Sequence, residues 1–307
     1  MKNEVENLFR QQLIDWETAR KNYESLQKVE TKIFDVNGCE FEVQFNPARI
    51  VSSGAKVDAK SIRERKCFLC AENRPKEQEG IPFGKNYTIL VNPFPIFPKH
   101  FTIPENSHVP QSIYPRFTDM LDLAELMEEY VVFYNGPKCG ASAPDHAHFQ
   151  AGSKGFLPLE RNRKEHISEK INSHLFVIDY GFPSLMIQTD NKETSVSLFD
   201  KIYKSLDLKP DETEPMMNIL SWKENRNFNT IIIPRKKHRP HCYFAEGNEN
   251  ILISPAAVDL GGVFITPLEK DFNKITQTDI AKILNEVCFN IKDNRQLIVK
   301  IQNLLNL

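Results

Sequence analysis

His146, His148 and Gln150 stand two residues apart, directly after a run of small residues. On a β-strand that spacing puts all three side chains on one face, with Ala147 and Phe149 on the other. Two imidazoles and a carboxamide beside the loop Gly136 to Ser142 can hold a phosphate and attack it. A neutral imidazole that attacks an α-phosphorus forms a phosphoramidate and splits one displacement into two. His148 is the expected nucleophile. Its second ring nitrogen must then donate to a backbone carbonyl, so that the attacking nitrogen keeps its lone pair. The N–H groups of Gly140, Ala141 and Ser142, with the Ser142 hydroxyl, can cradle the non-bridging oxygens. Gln150 can donate to a phosphoryl oxygen but has no proton to exchange near neutral pH. It binds charge without activating water, which favours a transferase over a hydrolase. The plainer alternative is a pair of hydrogen-bonded strand histidines. The loop and the glutamine in register weigh against it.

These groups need a scaffold, and the hydrophobic periodicity suggests one. Residues 3–28 carry apolar side chains at three- and four-residue intervals, from Val5 to Leu26, which predicts one amphipathic helix docked on the body. Alternating segments at 32–36 and 41–45, split by Asn37 and Gly38, predict a hairpin. Strands are expected at 87–91 and 100–103, a helix at 113–131, and then the histidine strand. Residues 154–170 are charged and expected to loop out. A second pass follows, with strands near 175–178, 228–233 and 262–265 and helices near 193–206, 278–290 and 294–306. Strands and helices mix without regular alternation, so the expected class is α+β with an antiparallel sheet and flanking helices.

The 307 residues are 40% hydrophobic and 26% charged, with a net charge of −2, which argues against a non-specific nucleic-acid binder. No apolar run reaches the roughly 20 residues of a membrane span, and the N-terminal residues carry no hydrophobic leader. A cytoplasmic protein is expected, with its six cysteines as thiols or metal ligands.

Cys67 and Cys70 form a CxxC pair, open to three readings: a redox pair, half a zinc site, or two cysteines in a turn. The following Ala71 to Pro75 makes a poor helix start, which favours metal over thioredoxin-like chemistry. No second CxxC exists, so histidines must complete a four-ligand site. The run Arg235 to Cys242 holds four cations and two histidines. It reads as a clamp for a polyanion through Arg235 and Lys237, as a solvated basic loop, or as a second metal site. Its positive charge disfavours the last.

The run from Phe133 to Gln150 resembles the signature of the histidine-triad superfamily, in the His-x-His-x-Gln form of its transferase branch. That branch includes galactose-1-phosphate uridylyltransferases, diadenosine tetraphosphate phosphorylases and GDP-hexose phosphorylases. The resemblance extends through Asn92 to Pro95 and Pro98 to Phe101, and loosely to Ile233–Lys236 and Ser254–Ala257. It implies two tandem histidine-triad-like halves, drawn here as a docking helix over 1–28, a catalytic half over 29–165 and a second half over 166–307. It implies nucleotidyl transfer from a nucleoside diphosphate sugar or dinucleoside polyphosphate to phosphate or a sugar phosphate, and it admits a homodimer. It implies zinc at Cys67, Cys70, His108 and His146, with His100 as the competitor to His108. It places Asn135 at the phosphate or ribose, and Asn92 and Phe94 near the base. Lys138, Cys139 and Asp145 depart from the pattern and leave base and acceptor open. A nucleotide-conjugate hydrolase and a non-catalytic nucleotide-binding zinc protein are the alternatives.

Overall fold

A computed structural model describes residues 2–306. Its strands are β1 (Glu30–Val36), β2 (Cys39–Phe45), β3 (Gly80–Phe83), β4 (Tyr87–Val91), β5 (His100–Pro104), β6 (Tyr130–Asn135) and β7 (His148–Ser153). They continue as β8 (Ile167–Lys170), β9 (Leu175–Asp179), β10 (Pro183–Thr189), β11 (Met217–Glu224), β12 (Asn227–Pro234) and β13 (Val263–Thr266). The first hairpin turns at Asn37 and Gly38, with φ of 56° and 82°. Positive φ at both positions matches the twist of the paired strands. β13 joins β2 in parallel and completes a small sheet, β1-β2-β13.

The other ten strands form one antiparallel sheet in the order β3-β4-β5-β7-β6-β11-β12-β10-β9-β8. Read from either edge, the order of use is the same: two hairpin strands, a third, then the last two exchanged. Two tandem halves therefore share one sheet, joined where Asn135 of β6 lies opposite Asn218 of β11. The halves differ in one connection. Residues 136–147 link β6 to β7, whereas Asn225 and Arg226 alone turn β11 into β12. At the matching place the second half thus has a tight turn instead of a long loop. Asn227 and Asn229 stand at the start of β12, as His148 and Gln150 do on β7.

The helices Phe117–Leu126 and Lys192–Ser205 occupy matching places on one face, where Phe117 stacks on Phe199 with centroids 3.8 Å apart. That face buries Phe101, Ile103, Tyr134, Phe149 and Ala151. The opposite face buries Phe97, Phe133, Trp222 and Leu284. Each such large side chain contributes roughly 1.5–3 kcal/mol on burial. Phe149 and Ala151 point into the first core, so alternation turns His148 and Gln150 to the other face.

Two expectations need correction. The N-terminal helix is two helices, Lys2–Asp15 and Glu17–Leu26, broken at Trp16, whose backbone is extended (φ −113°, ψ 97°). The break re-aims the second helix so that Trp16, Ala19 and Tyr23 are all buried. The Tyr23 hydroxyl then donates to the carbonyl of His100 at 3.0 Å and accepts its N–H at 3.1 Å, which pins β5. Residues 154–170 do not simply loop out. They hold a short helix, Pro158–Asn162, and the edge strand β8, because Leu157 and Leu159 are drawn into the second core. Among the described residues, no helix is long and apolar enough to cross a membrane.

Candidate active site and metal cluster

The strand proper begins at His148, and His146 sits in the turn before it. This corrects the expectation of one strand face for all three polar residues. The two imidazoles do different work. His146 turns its Nδ1 to Cys67 Sγ at 3.4 Å and Cys70 Sγ at 3.5 Å, while its Nε2 lies 2.7 Å from the carbonyl of Glu105. His108 Nδ1 is 3.2 Å from Cys70 Sγ. The ligand atoms of Cys67, Cys70, His108 and His146 all lie within 4.8 Å of one another, and the four residues together could hold a metal ion. The group takes His108. His100 lies elsewhere, fully buried against Gln150.

Burial opposes ionisation of Cys67, but the His146 ring and the N–H groups of Leu69 and Cys70 outweigh it and hold the thiol at about 6. Burial pushes Cys70 up, and the neighbouring Cys67 thiolate adds to this. A cation between the sulfurs would remove that antagonism. Asp145, the residue that departs from the family pattern, supports the cluster from outside. It pairs with Arg65, and its Oδ2 lies 3.8 Å from His108 Nε2.

His148 is 6% exposed and its Nδ1 lies 2.8 Å from the carbonyl of His146. A carbonyl only accepts, so Nδ1 carries the proton and Nε2 keeps its lone pair. Burial first, with the His146 charge, holds the ring at about 4, against the bond to that carbonyl. The ring is therefore neutral at pH 7. Gln111, which the sequence reading missed, holds this strand end. Its Oε1 accepts from His148 N–H at 2.8 Å, and its Nε2 reaches the carbonyls of Asn135 at 3.0 Å and His148 at 3.1 Å. The only hint of it in the chain is an isolated amide among apolar residues and prolines.

The loop before His146 is shaped by the second half. Gly140 has φ +92°, and a Cβ there would lie 2.5 Å from the Cβ of Ala256. No side chain fits that approach. The N–H groups of Gly140, Ala141 and Ser142 have no acceptor among the described residues. His100 accepts the Ile96 N–H at Nδ1, 3.2 Å away, so its Nε2 bears the proton and donates to Gln150 Oε1 at 3.0 Å. Burial, then the charge of Arg49, keeps His100 neutral at about 3. Arg49 is a second residue missed in the sequence. It donates to the carbonyl of Phe94 at 2.7 Å.

The remaining expected contacts divide. Phe94 is 38% exposed and presents a free ring. Asn92 does not present its amide: Oδ1 accepts from Phe94 N–H at 2.9 Å and Nδ2 donates to Thr102 at 2.9 Å. Arg235 does not present its guanidinium either, which corrects the expected clamp. It is 2% exposed, and its five donors go to Val287 O, Asn218 Oδ1, Pro255 O, Lys237 O and His238 O. Lys237 turns away to Glu286 at 2.7 Å.

Known proteins bear on this arrangement. Residues 158–306 match the family described as the GDPGP1-like C-terminal domain, and residues 8–153 match a family described as a domain of unknown function, DUF4922. Yeast Ap4A phosphorylase Apa2 aligns over 89% of this chain and 97% of its own, at 16% identity and a TM-score of 0.58.

The chain has the fold of the Ap4A phosphorylase Apa2.

Apa2 in complex with Ap4A superposes equally well, with a TM-score of 0.57 at 16% identity over 89% of this chain and 97% of that one. An ADP-glucose phosphorylase from Arabidopsis thaliana aligns more loosely, with a TM-score of 0.33 at 12% identity, over 84% of this chain and 98% of its own. No curated protein matches in sequence.

Proposed function

We propose that this chain is a nucleotidyltransferase of the phosphorylase type, working through a nucleotidyl-histidine on His148. The observation that carries the reading is the His148 ring. Its Nδ1 is tied to the His146 carbonyl at 2.8 Å, and it stands on a strand that leaves three unpaired loop N–H groups. Nε2 attacks the α-phosphorus of a nucleoside diphosphate sugar or dinucleoside polyphosphate. The N–P bond forms as the bridging P–O bond breaks, and the leaving group departs as a phosphorylated fragment. Phosphate or a sugar phosphate then attacks the same phosphorus and releases His148. Gly140, Ala141 and Ser142 hold the non-bridging oxygens, Gln150 donates to one of them, and Phe94 offers its ring to the base.

Water is a poor acceptor here, because Gln150 cannot take its proton. The similarity of fold to an Ap4A phosphorylase supports this reaction class. Zinc at Cys67, Cys70, His108 and His146 belongs to the same proposal. Tetrahedral zinc, with bonds of about 2.3 Å to sulfur and about 2.0–2.1 Å to nitrogen, would space the two by about 3.5 Å. The Sγ to Nδ1 separations of 3.2 to 3.5 Å fit that edge. With Cys67, Cys70, His108 and His146 supplying all four ligands, a bound ion would be structural.

The test is intact-protein mass spectrometry after incubation with ATP, a GDP-sugar and a UDP-sugar in separate reactions. One of them should leave a nucleoside monophosphate on the chain, lost on addition of phosphate or sugar phosphate and absent in His148→Ala. A well-folded His148→Ala enzyme that still turned over would end the proposal.

A further inference from the structure

Asn135 ends β6 beside the nucleophile. Phe133 pairs with Gln150 across β6 and β7, so Asn135, two residues on, shares the sheet face of Gln150 and His148. Gln111 Nε2 spans the carbonyls of Asn135 and His148 at 3.0 and 3.1 Å, which sets the two residues side by side. The Asn135 oxygen is already committed. Oδ1 accepts from Asn218 Nδ2 at 2.8 Å and from Ala257 N–H at 2.8 Å. Its Nδ2 has no acceptor among the described residues.

Every bond behind it runs in one direction. A guanidinium only donates, so the Asn218 oxygen must face Arg235, and it accepts from that side chain at 2.6 Å. Asn218 Nδ2 must then face the other way, toward Asn135 Oδ1 and the carbonyl of Cys139 at 2.7 Å. The Asn135 oxygen must in turn face Asn218. Arg235 cannot turn, because its other donors end on four backbone carbonyls. Asn218, Arg235 and Ala257 all lie in the half without a nucleophile.

We propose that Asn218, oriented by Arg235, is a positioning residue that turns the amide of Asn135 so that its Nδ2 donors face the phosphoryl group over His148. The proposal rests on the nucleotidyl-histidine reading above. The basic run of the second half then serves the reaction through a directed chain of hydrogen bonds. The second half has a two-residue turn where the first has its loop, yet it braces that loop through Asn218 and Cys139 O.

The test is Asn218→Asp. The carboxylate is nearly the same shape and keeps its bond to Arg235, now charge-assisted. It cannot donate to Asn135 Oδ1 or Cys139 O, and its charge repels the Asn135 oxygen; this repulsion is expected to outweigh the Ala257 N–H, reverse the Asn135 amide and set an oxygen against the phosphate. The rate of His148 nucleotidylation, followed by rapid quench and mass, is expected to fall roughly 100-fold or more, the scale of losing one oxyanion donor. The dissociation constant for the free nucleoside should change less than about threefold, because it lacks the phosphorus that Asn135 faces.

In an Asn135→Ala background, Asn218→Asp should cost far less, leaving only what the lost bond to the Cys139 carbonyl does to the loop. An equal fall in both backgrounds overturns the proposal, as does an unchanged rate in wild-type background. Asn218→Ala provides the same cycle if the aspartate variant does not fold. Absence of any adduct on wild-type protein defeats the nucleotidyl-histidine reading instead, so the two failures are distinct.

Discussion

His100 Nε2 donates to Gln150 Oε1 at 3.0 Å. The direction is set one bond further back, where the Ile96 N–H occupies His100 Nδ1 at 3.2 Å. The Gln150 oxygen is thereby held toward His100, and its NH2 group is left with no acceptor among the described residues. A residue that the sequence offered only as a rival metal ligand instead decides which end of the Gln150 amide is left free.

Replacing His100 by Leu keeps much of the bulk but frees the Gln150 amide to rotate. The expected result is a fall of about tenfold to a hundredfold in kcat, the range for loss of a supporting hydrogen bond, with zinc content unchanged. Steady-state kinetics and elemental analysis on one preparation check it. Loss of the metal in this variant would show that His100 and the cluster are not separate.

Gln150→His restores an ionisable group on the strand face. Water should then compete as an acceptor, so nucleoside monophosphate release without phosphate rises while transfer falls. The comparison is the hydrolysis-to-transfer ratio of variant and parent. A parent that already hydrolyses its adduct as fast as it transfers it would make this chain a hydrolase.

The Cys/His cluster and His148 are joined by one residue. His146 offers its ring to the cluster and its carbonyl to His148 Nδ1. Cys70→Ser should therefore lower zinc below one equivalent, lower the unfolding midpoint and slow adduct formation together. Readdition of zinc to chelated wild-type protein should restore all three. Full activity in metal-free protein, measured with elemental analysis alongside, would uncouple them.

Glu214 gives the fold a pH dependence of known sign. Burial raises its carboxyl to about 7, against the bonds from Tyr134 and the Ile113 N–H. The folded state therefore holds a proton that the unfolded chain releases near 4.5. Stability from this group is present in full below pH 4.5 and is lost as pH rises through 7. Glu214→Gln should remove that slope, so that between pH 5 and 8 the variant gains on the parent by up to about 3 kcal/mol. Chemical denaturation at both pH values reads the difference. Parallel losses in the two proteins would mean that the carboxyl is ionised throughout.

The histidine spacing, the glycine loop and the CxxC pair were legible along the chain, because each is a local pattern of residue types. Strand periodicity likewise predicted which neighbours of His148 enter the core, since alternation is a property of the backbone alone. The hairpin at Asn37 and Gly38 could be read for the same reason.

What tertiary structure decided was direction and commitment. Arg235 reads as a free cation in a basic run, yet burial and five acceptors turn it into a brace for Asn218. Asn92 reads as a substrate contact, yet both ends of its amide close a turn. Gln111, Arg49 and Asn218 carry no local signature, because their roles depend on carbonyls and amides brought in from 24 to 83 residues away. A hydrogen bond has a donor and an acceptor end, and which end a side chain presents is known only when both partners are in place.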